Sequence, residues 1–108
     1  MNRLKPITPG EILLEEYLRP TGLSRYRVAK EIGVPAQRIG DIVAGKRAIT
    51  ADTDLRLCKF FGLSNGYWLR AQAAHDIKVA EQNLGPELIK IRPWTMEGHD
   101  ESLIKKHI

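Results

Sequence analysis

The chain has 108 residues, 43% of them hydrophobic and 28% charged, with a formal net charge of +4 at pH 7. This length is typical of one small domain with one core. The sequence has no apolar run that could cross a bilayer and does not begin like a signal peptide, so we expect a cytoplasmic protein without a membrane partner. The single cysteine, Cys58, excludes an internal disulfide, and its apolar neighbours favour a buried structural thiol.

The first predicted helix begins with a capping box. Thr8 is its N-cap, Pro9 takes the first helical position, and the Glu11 carboxylate can accept from the N-cap amide. We expect this helix to run to about Leu18. The segment Arg19-Pro20-Thr21-Gly22 follows, and its proline and glycine disfavour a continued helix.

Residues 22–50 predict two short amphipathic helices joined by a tight turn. The first runs from Arg25 to Ile32 behind the N-cap Ser24, and the second from about Pro35 or Ala36 to Ala44. Both carry apolar residues with the i, i+3, i+4 spacing of one buried face, namely Val28, Ala29, Ile32, Ile39, Ile42 and Val43. Such a pair forms a helix-turn-helix, here residues 24–44, whose second helix commonly enters the DNA major groove.

The charge of this segment favours DNA as the ligand. Residues 22–50 hold six basic and two acidic side chains, a net charge of +4, so the rest of the chain is neutral. A solvated helix surface would normally mix both signs, and we interpret the excess as a polyanion-binding face. The predicted phosphate-binding residues are Arg25, Tyr26, Lys46 and Arg47. The predicted base-reading residues are Ala36, Gln37, Arg38, Gly40 and Asp41.

The chemistry of three of these side chains suits base edges. Gln37 can bond adenine, Arg38 can bond guanine, and Asp41 can accept from the cytosine amino group. Gly40 weakens a helix interior by about 1 kcal/mol relative to alanine. Either it provides a flat spot for close approach to DNA, or the position simply tolerates glycine.

Two further helices complete the predicted all-α domain of residues 1–84. The fourth is capped by Thr50, has Asp52 and Asp54 in its first turn, where they favour the helix dipole, and ends before Gly62. Its predicted buried side is Leu55, Leu57, Cys58 and Phe61. The fifth begins at Ser64 and ends at residue 83 or 84, before Gly85-Pro86. Its predicted core residues are Trp68 and Leu69, and its predicted dimer interface is Ala73, Ile77 and Ala80.

The remaining residues, 85–108, are predicted to form a tail. Residues 87–92 are expected to form either a short strand that pairs between subunits or a packed coil, and Trp94 is the tail residue expected to be held against the domain. From Pro93 onward, polarity and the lack of a period indicate weak order.

The chain resembles the HigA/VapI antitoxins of the XRE (phage-repressor-like) helix-turn-helix family. The likeness is carried by TPGEILLEEYL at 8–18, GLSRYRVAKEIGVPAQRIGDIVAGKRAITADTDLRL at 22–57 and GYWLRAQAAHD at 66–76. Its most specific part is VPAQRI at 34–39 with IVAGKRAITADT at 42–53, because a generic repressor would not share the continuation GKRAITADT. The resemblance implies a five-helix dimer that binds double-stranded operator DNA, represses its own operon and neutralises a HigB-type ribonuclease toxin.

By position, the resemblance implies roles that agree with the residue chemistry. Arg25 corresponds to the phosphate-contacting start of the first helix of the pair, and Lys46 and Arg47 to a backbone-contacting loop. Ala36, Gln37, Arg38 and Asp41 correspond to groove-facing positions. The chain departs from the family at Gly40, where members often carry a polar residue such as asparagine.

Other function classes remain to be weighed. The main role could be protein binding, through the acidic face of helix one that Glu11, Glu15 and Glu16 form, or the chain could be an orphan repressor without a toxin. An enzyme is not expected, since no nucleophile–base set or glycine-rich phosphate loop occurs. No cofactor or metal is expected either, because His75, His99 and His107 lack ligand spacing with the cysteine. His75 beside Asp76 is interpreted as an exposed pair.

Overall fold

The structure, a computed structural model, describes residues 5–95 and contains five helices in that range, so the predicted all-α fold is confirmed. No strand occurs within residues 5–95. The first helix, α1, is continuous over three segments, Pro9–Ile12, Leu13–Leu18 and Arg19–Thr21. The others are α2 Arg25–Ile32, α3 Ala36–Val43, α4 Ala51–Phe61 and α5 Tyr67–Lys90. None of these helices is both long and apolar enough to span a membrane.

Helix α1 begins as predicted but does not end at Leu18. The capping box is formed, with Thr8 Oγ1 accepting from the Glu11 amide at 3.1 Å. The helix then widens into a π-helical segment, Leu13–Leu18, and continues through Pro20 to Thr21. In this wider turn the Arg19 amide donates to the carbonyl of Leu14, five residues earlier. A π-type turn relieves the crowding that a proline ring causes in an α-helix, so Pro20 does not end α1.

The helix-turn-helix forms as predicted. Ser24 Oγ caps α2 by accepting from the Arg27 amide at 2.9 Å, and Gly33 ends it at φ 74°, a left-handed conformation that glycine adopts without strain. Helix α3 follows Pro35 directly. The predicted inner residues of both helices are buried except Val43, which is half-buried. The core that they join also contains Leu13, Leu18, Ile49, Leu57, Cys58 and Trp68.

Helix α3 lies against the start of α1 at a point where no side chain fits between them. Gly10 is buried, and a Cβ atom placed on it would lie 1.9 Å from the carbonyl oxygen of Ile42 and 2.9 Å from the Cα of Val43. Both atoms belong to the backbone, which cannot rotate aside. Gly10 therefore sets how closely the recognition helix, α3, approaches the rest of the domain.

Helix α4 buries a different face from the predicted one. Leu57 and Cys58 are fully buried and Phe61 is partly buried, as expected, but Leu55 is 49% exposed. The buried residues in the first turn are instead Thr53, with 2% exposure, and Asp54, with 1% exposure. Spacing explains the exchange, because residue 54 lies three and four positions before Leu57 and Cys58, whereas residue 55 does not share that face.

The Asp54 carboxylate caps the start of α5. Its Oδ2 accepts from the Gly66 amide at 2.7 Å, and its Oδ1 accepts from the amides of Trp68 at 2.8 Å and Leu69 at 3.2 Å. These are amides at a helix N-terminus, which have no partner within the helix. The helix thus begins at Tyr67, behind Gly66, rather than at Ser64 as predicted.

Helix α5 is longer than predicted. It passes through Gly85 and Pro86 and ends at Lys90, so the prediction that it stops at residue 83 or 84 is wrong. The strand and coil alternatives for 87–92 are both wrong over residues 87–90, which are helical. Pro86 cannot donate a backbone hydrogen bond, but the helix is exposed there, and water can solvate its backbone. Trp94 is 68% exposed and is not held against the domain. The rest of the predicted tail, 96–108, lies outside the described residues.

Candidate nucleic-acid interface

The N-terminal turn of α2 presents two of the predicted phosphate-binding residues. Arg25 and Tyr26 are both exposed, and the Tyr26 side chain is 67% accessible. An arginine at this end of a helix opposes the helix dipole. A bound phosphate would reverse that cost, since it attracts both the guanidinium and the helix N-terminus.

The outward face of α3 consists of Gln37 and Asp41, and Ala44 continues it in the turn that follows. With about 100° between successive residues, these three lie within roughly 60° of one another, opposite the buried Ile39 and Ile42. Ala36 and Gln37 are exposed and Asp41 is half-buried. The first turn of α3 is therefore the part of the helix-turn-helix most open to a groove.

Gly40 borders this face without serving the internal packing. It is half-buried, and a Cβ atom placed on it would meet nothing within 4 Å. The glycine is thus not required by any neighbour among residues 5–95. At Gly10, by contrast, the added atom would overlap the backbone of α3. Gly10 is therefore required by the packing of the domain, whereas any role of Gly40 lies at the surface.

Arg38 lies at the edge of α3 rather than on its outward face. Its side chain is 25% exposed, and its Nη1 lies 3.6 Å from the carboxylate of Asp52 at the start of α4. The same carboxylate oxygen accepts from Arg56 Nε at 2.8 Å, and Arg56 Nη1 donates to the carbonyl of Ile32 at 2.7 Å. Two arginines and one aspartate thus connect the end of α2, the recognition helix and α4.

Lys46 and Arg47 lie in the loop after α3, and both are exposed. The loop backbone is fixed at both ends. The Lys46 amide donates to the carbonyl of Asp41 at 2.8 Å, and the Ile49 amide donates to Gln72 Oε1 at 3.1 Å. The two cations therefore project from a held backbone beside the C-terminal end of the recognition helix.

The anchor at Gln72 extends along α5. Gln72 Nε2 donates to Asp76 Oδ1 at 2.9 Å, and His75 Nδ1 lies 3.0 Å from the same oxygen. Hydrogen bonding from His75, then from Gln72, holds the pKa of Asp76 below its usual value. The predicted His75–Asp76 pair is present, although His75 is only 21% exposed. Through Gln72 this pair is linked to the backbone of the loop at Ile49. It forms no metal-binding cluster within the described residues.

The predicted dimer residues lie where α5 leaves the domain. Ala73, Ile77 and Ala80 are exposed, and Trp68 is the only buried residue of the helix. They are remote in sequence from the helix-turn-helix and form a separate surface.

Sequence reasoning missed four residues that support the interface. Asp54 could have been recognised from its i, i+3, i+4 spacing with Leu57 and Cys58. Gly10 had no such signal, since a glycine early in a helix does not reveal which backbone it touches. Asp52 and Arg56 are spaced as an i, i+4 pair, but their link to Arg38 depends on how α3 and α4 pack.

Comparison with known proteins agrees with this geometry. The family described as Helix-turn-helix matches residues 14–68. The chain is 51% identical over 82 residues to Virulence-associated protein I of Dichelobacter nodosus, which covers 76% of each chain. It also resembles the solved structure of an addiction module antidote protein of the HigA family from Coxiella burnetii, with 44% identity, a TM-score of 0.78, and coverage of 83% of this chain and 99% of that one.

A second solved structure, antitoxin HigA of Pseudomonas aeruginosa with the higBA promoter, is 33% identical with a TM-score of 0.78 and the same coverage. Sequence and fold therefore point to the same relatives, over the part of the chain that contains the helix-turn-helix. The chain belongs to the HigA/VapI branch of the XRE-type helix-turn-helix family.

Proposed function

We propose that the chain is the DNA-binding antitoxin of a type II toxin–antitoxin module. As a dimer it binds operator DNA through the helix-turn-helix and represses its own operon, and it neutralises a HigB-type ribonuclease by direct binding. The observation that carries the DNA-binding part is the surface of α2, α3 and the following loop, where Arg25, Gln37, Lys46 and Arg47 are all exposed. The relative solved with the higBA promoter supports DNA as the ligand.

The surface divides into positioning and reading groups. Two groups of residues suit phosphates: the first turn of α2 holds Arg25 and Tyr26, and the loop after α3 holds Lys46 and Arg47. Gln37 and Asp41 lie on the outward face of α3, where they suit base edges, with Ala36 and Gly40 beside them. In this arrangement the phosphate contacts set the register, and the first turns of α3 select the sequence.

Lys46→Ala tests the positioning role. We expect it to weaken binding to promoter and shuffled DNA by a similar factor. The slope of log K against log [salt] should also become shallower by about one unit, because one phosphate contact is lost. Fluorescence anisotropy over a range of salt concentrations measures both effects. The control is Lys59→Ala, which removes the same charge from the last turn of α4, outside the helix-turn-helix. If both variants show the same salt slope as the unchanged chain, Lys46 contacts no phosphate.

The dimer is supported by an apolar stripe along the exposed part of α5. With about 100° per residue, Ala73, Ile77, Ala80, Leu84 and Leu88 fall within roughly 80° of one another. Ile77 is 57% exposed, Leu84 45% and Leu88 46%. The stripe lengthens the interface that the sequence predicts by two turns of helix. A second copy that covers it would let two recognition helices reach major grooves about 34 Å apart.

Ile77→Asp tests this interface. Placing a charge in the stripe should turn a dimer into a monomer at the same protein concentration, because burying an unpaired carboxylate opposes association. Analytical ultracentrifugation measures the mass. Ile89→Asp is the matched control, since Ile89 is 85% exposed on the same helix but about 120° around it from Ile77. A dimer that survives Ile77→Asp would place the interface elsewhere.

Neutralisation requires a toxin, and the reading frame next to the gene is the one to test. Co-expression of the chain with a small ribonuclease-like protein encoded beside it should rescue growth and give a co-purifying complex. Absence of both rescue and complex would favour the orphan repressor. The DNA-binding part of the proposal does not depend on this result.

A further inference from the structure

We propose that Asp52 is a specificity-determining residue that positions Arg38 for DNA discrimination. The inference rests on the proposed function and concerns the same interface. Arg38 is the only cation within helix α3, yet it does not point freely outward. Its Nη1 lies 3.6 Å from the Asp52 carboxylate, and its Nε is buried without a hydrogen-bond partner among the described residues.

The Asp52 carboxylate is itself held in place. Arg56 Nε donates to it at 2.8 Å from the next turn of α4, while Arg56 Nη1 donates to the carbonyl of Ile32 at 2.7 Å. The chain of contacts begins at the last residue of α2 and ends at the guanidinium of Arg38. The packing of the helix-turn-helix thus fixes where that guanidinium lies along the recognition helix.

A held guanidinium discriminates better than a mobile one. A free arginine has many rotamers and can follow a phosphate or any acceptor in reach, at an entropic cost on binding. An arginine restrained at one edge of α3 meets an acceptor only where the DNA sequence places it. Its contact with Asp52 occupies one terminal nitrogen, which leaves Nη2 available to a base or a phosphate.

The carboxylate also acts on the DNA directly. The Asp52 side chain is 60% exposed, so it repels approaching phosphates whatever the sequence. DNA on which Arg38 finds its acceptor compensates for this repulsion, and other DNA does not. This repulsion weakens binding to every duplex by a similar factor and so leaves the ratio of affinities unchanged, whereas the positioning of Arg38 strengthens binding only where the DNA offers the acceptor.

Asp52→Asn separates this role from a structural one. The measured quantity is the ratio of dissociation constants for a shuffled duplex and for the duplex that covers the promoter of its own gene, at one salt concentration. We expect the ratio to fall by about threefold to tenfold, in the range of single-contact couplings. Non-specific binding should tighten because a repulsion is lost, and promoter binding should tighten less or weaken because Arg38 is no longer held. A thermal melt of each variant confirms that it is folded at the assay temperature.

Glu31→Gln is the matched control. Glu31 accepts from Arg27 Nε at 2.7 Å in an exposed i, i+4 pair on α2, so the control removes the same charge and the same kind of pair. It should shift both duplexes by a similar factor and leave the ratio unchanged. The Asp52→Asn change is also made together with Arg38→Ala, where it should no longer lower the ratio, because the residue to be positioned is gone.

Two results would overturn the inference. One is a ratio that Asp52→Asn leaves unchanged, and the other is a fall in the ratio that persists in the Arg38→Ala background. Failure of the proposed function looks different, since the unchanged chain would then bind both duplexes equally.

Discussion

Gly10→Ala will destabilise the domain by about 3 kcal/mol, the upper part of the range for overpacked cores. The new methyl group would lie 1.9 Å from the Ile42 carbonyl oxygen, so α1 and α3 must separate by more than an ångström to restore normal contact. Neither helix can yield by a side-chain rotation. The displacement also moves the recognition helix, and DNA affinity should fall together with stability.

Gly40→Ala is the control for that prediction. Gly40 is in a helix of the same domain, but a Cβ atom there would meet no atom of residues 5–95 within 4 Å. The substitution should stabilise the chain by up to about 1 kcal/mol, the helix-propensity gain. Urea unfolding of both variants measures the difference. If Gly10→Ala unfolds at the same urea concentration as the unchanged chain, that result would contradict the close backbone contact between α1 and α3.

The same pair of glycines bears on the DNA complex. If Gly40 allows the helix to approach DNA closely, Gly40→Ala will weaken promoter binding while raising stability. If the position simply tolerates glycine, stability will rise and binding will stay unchanged. Measuring both properties on one variant decides between the two interpretations that the sequence leaves open.

Asp54→Asn will have the second large effect, a loss of about 3 kcal/mol. The carboxylate accepts from three backbone amides at the start of α5 at 1% exposure. Hydrogen bonds to a charged acceptor contribute about 1.5–3 kcal/mol each to stability. A buried donor that loses its acceptor costs about 1–3 kcal/mol in desolvation. Asparagine keeps the size but replaces one acceptor oxygen with a donor that faces other donors.

Asp52→Asn provides the matched comparison for stability. It is the same chemical change two residues earlier, on a side chain that is 60% exposed and paired with Arg56 at 2.8 Å. Exposed pairs contribute about 0–1 kcal/mol, so the loss should stay below 1 kcal/mol. Equal unfolding midpoints for the two variants would contradict the capping role of Asp54.

The sequence predicts the elements of this fold well where local chemistry decides them. The capping residues Thr8, Ser24 and Thr50 each accept from the amide three residues later, as their positions predict. The glycines Gly33 and Gly62 end their helices in the left-handed conformation. These features depend on neighbours within a few residues, and so one sequence is enough to recognise them.

The prolines predicted to end helices do not end them. Pro20 and Pro86 both lie inside helices, because a π-type turn accommodates the first and the second lies in an exposed stretch of α5. A proline in a helix interior costs about 3 kcal/mol, and favourable residues on both sides can outweigh that. The predicted domain boundary at residue 84 depended on such a break, and the helix passes through it.

Tertiary contacts account for what sequence could not supply at the candidate site. The exposure of Gln37, Lys46 and Arg47 follows from helical periodicity and a loop, and was predictable. The restraint on Arg38 was not, because it depends on how α4 packs beside α3. Which of these side chains contacts DNA stays a prediction, and the substitutions described above are designed to test it.

The most direct test of the central claim compares two DNA duplexes of equal length. One covers the promoter of the gene that encodes the chain, and the other has the same composition in shuffled order. At one physiological salt concentration, a base-reading helix-turn-helix should bind the promoter about a thousandfold tighter or more. Equal affinities for the two duplexes would contradict the account, since the basic surface would then recognise phosphates alone.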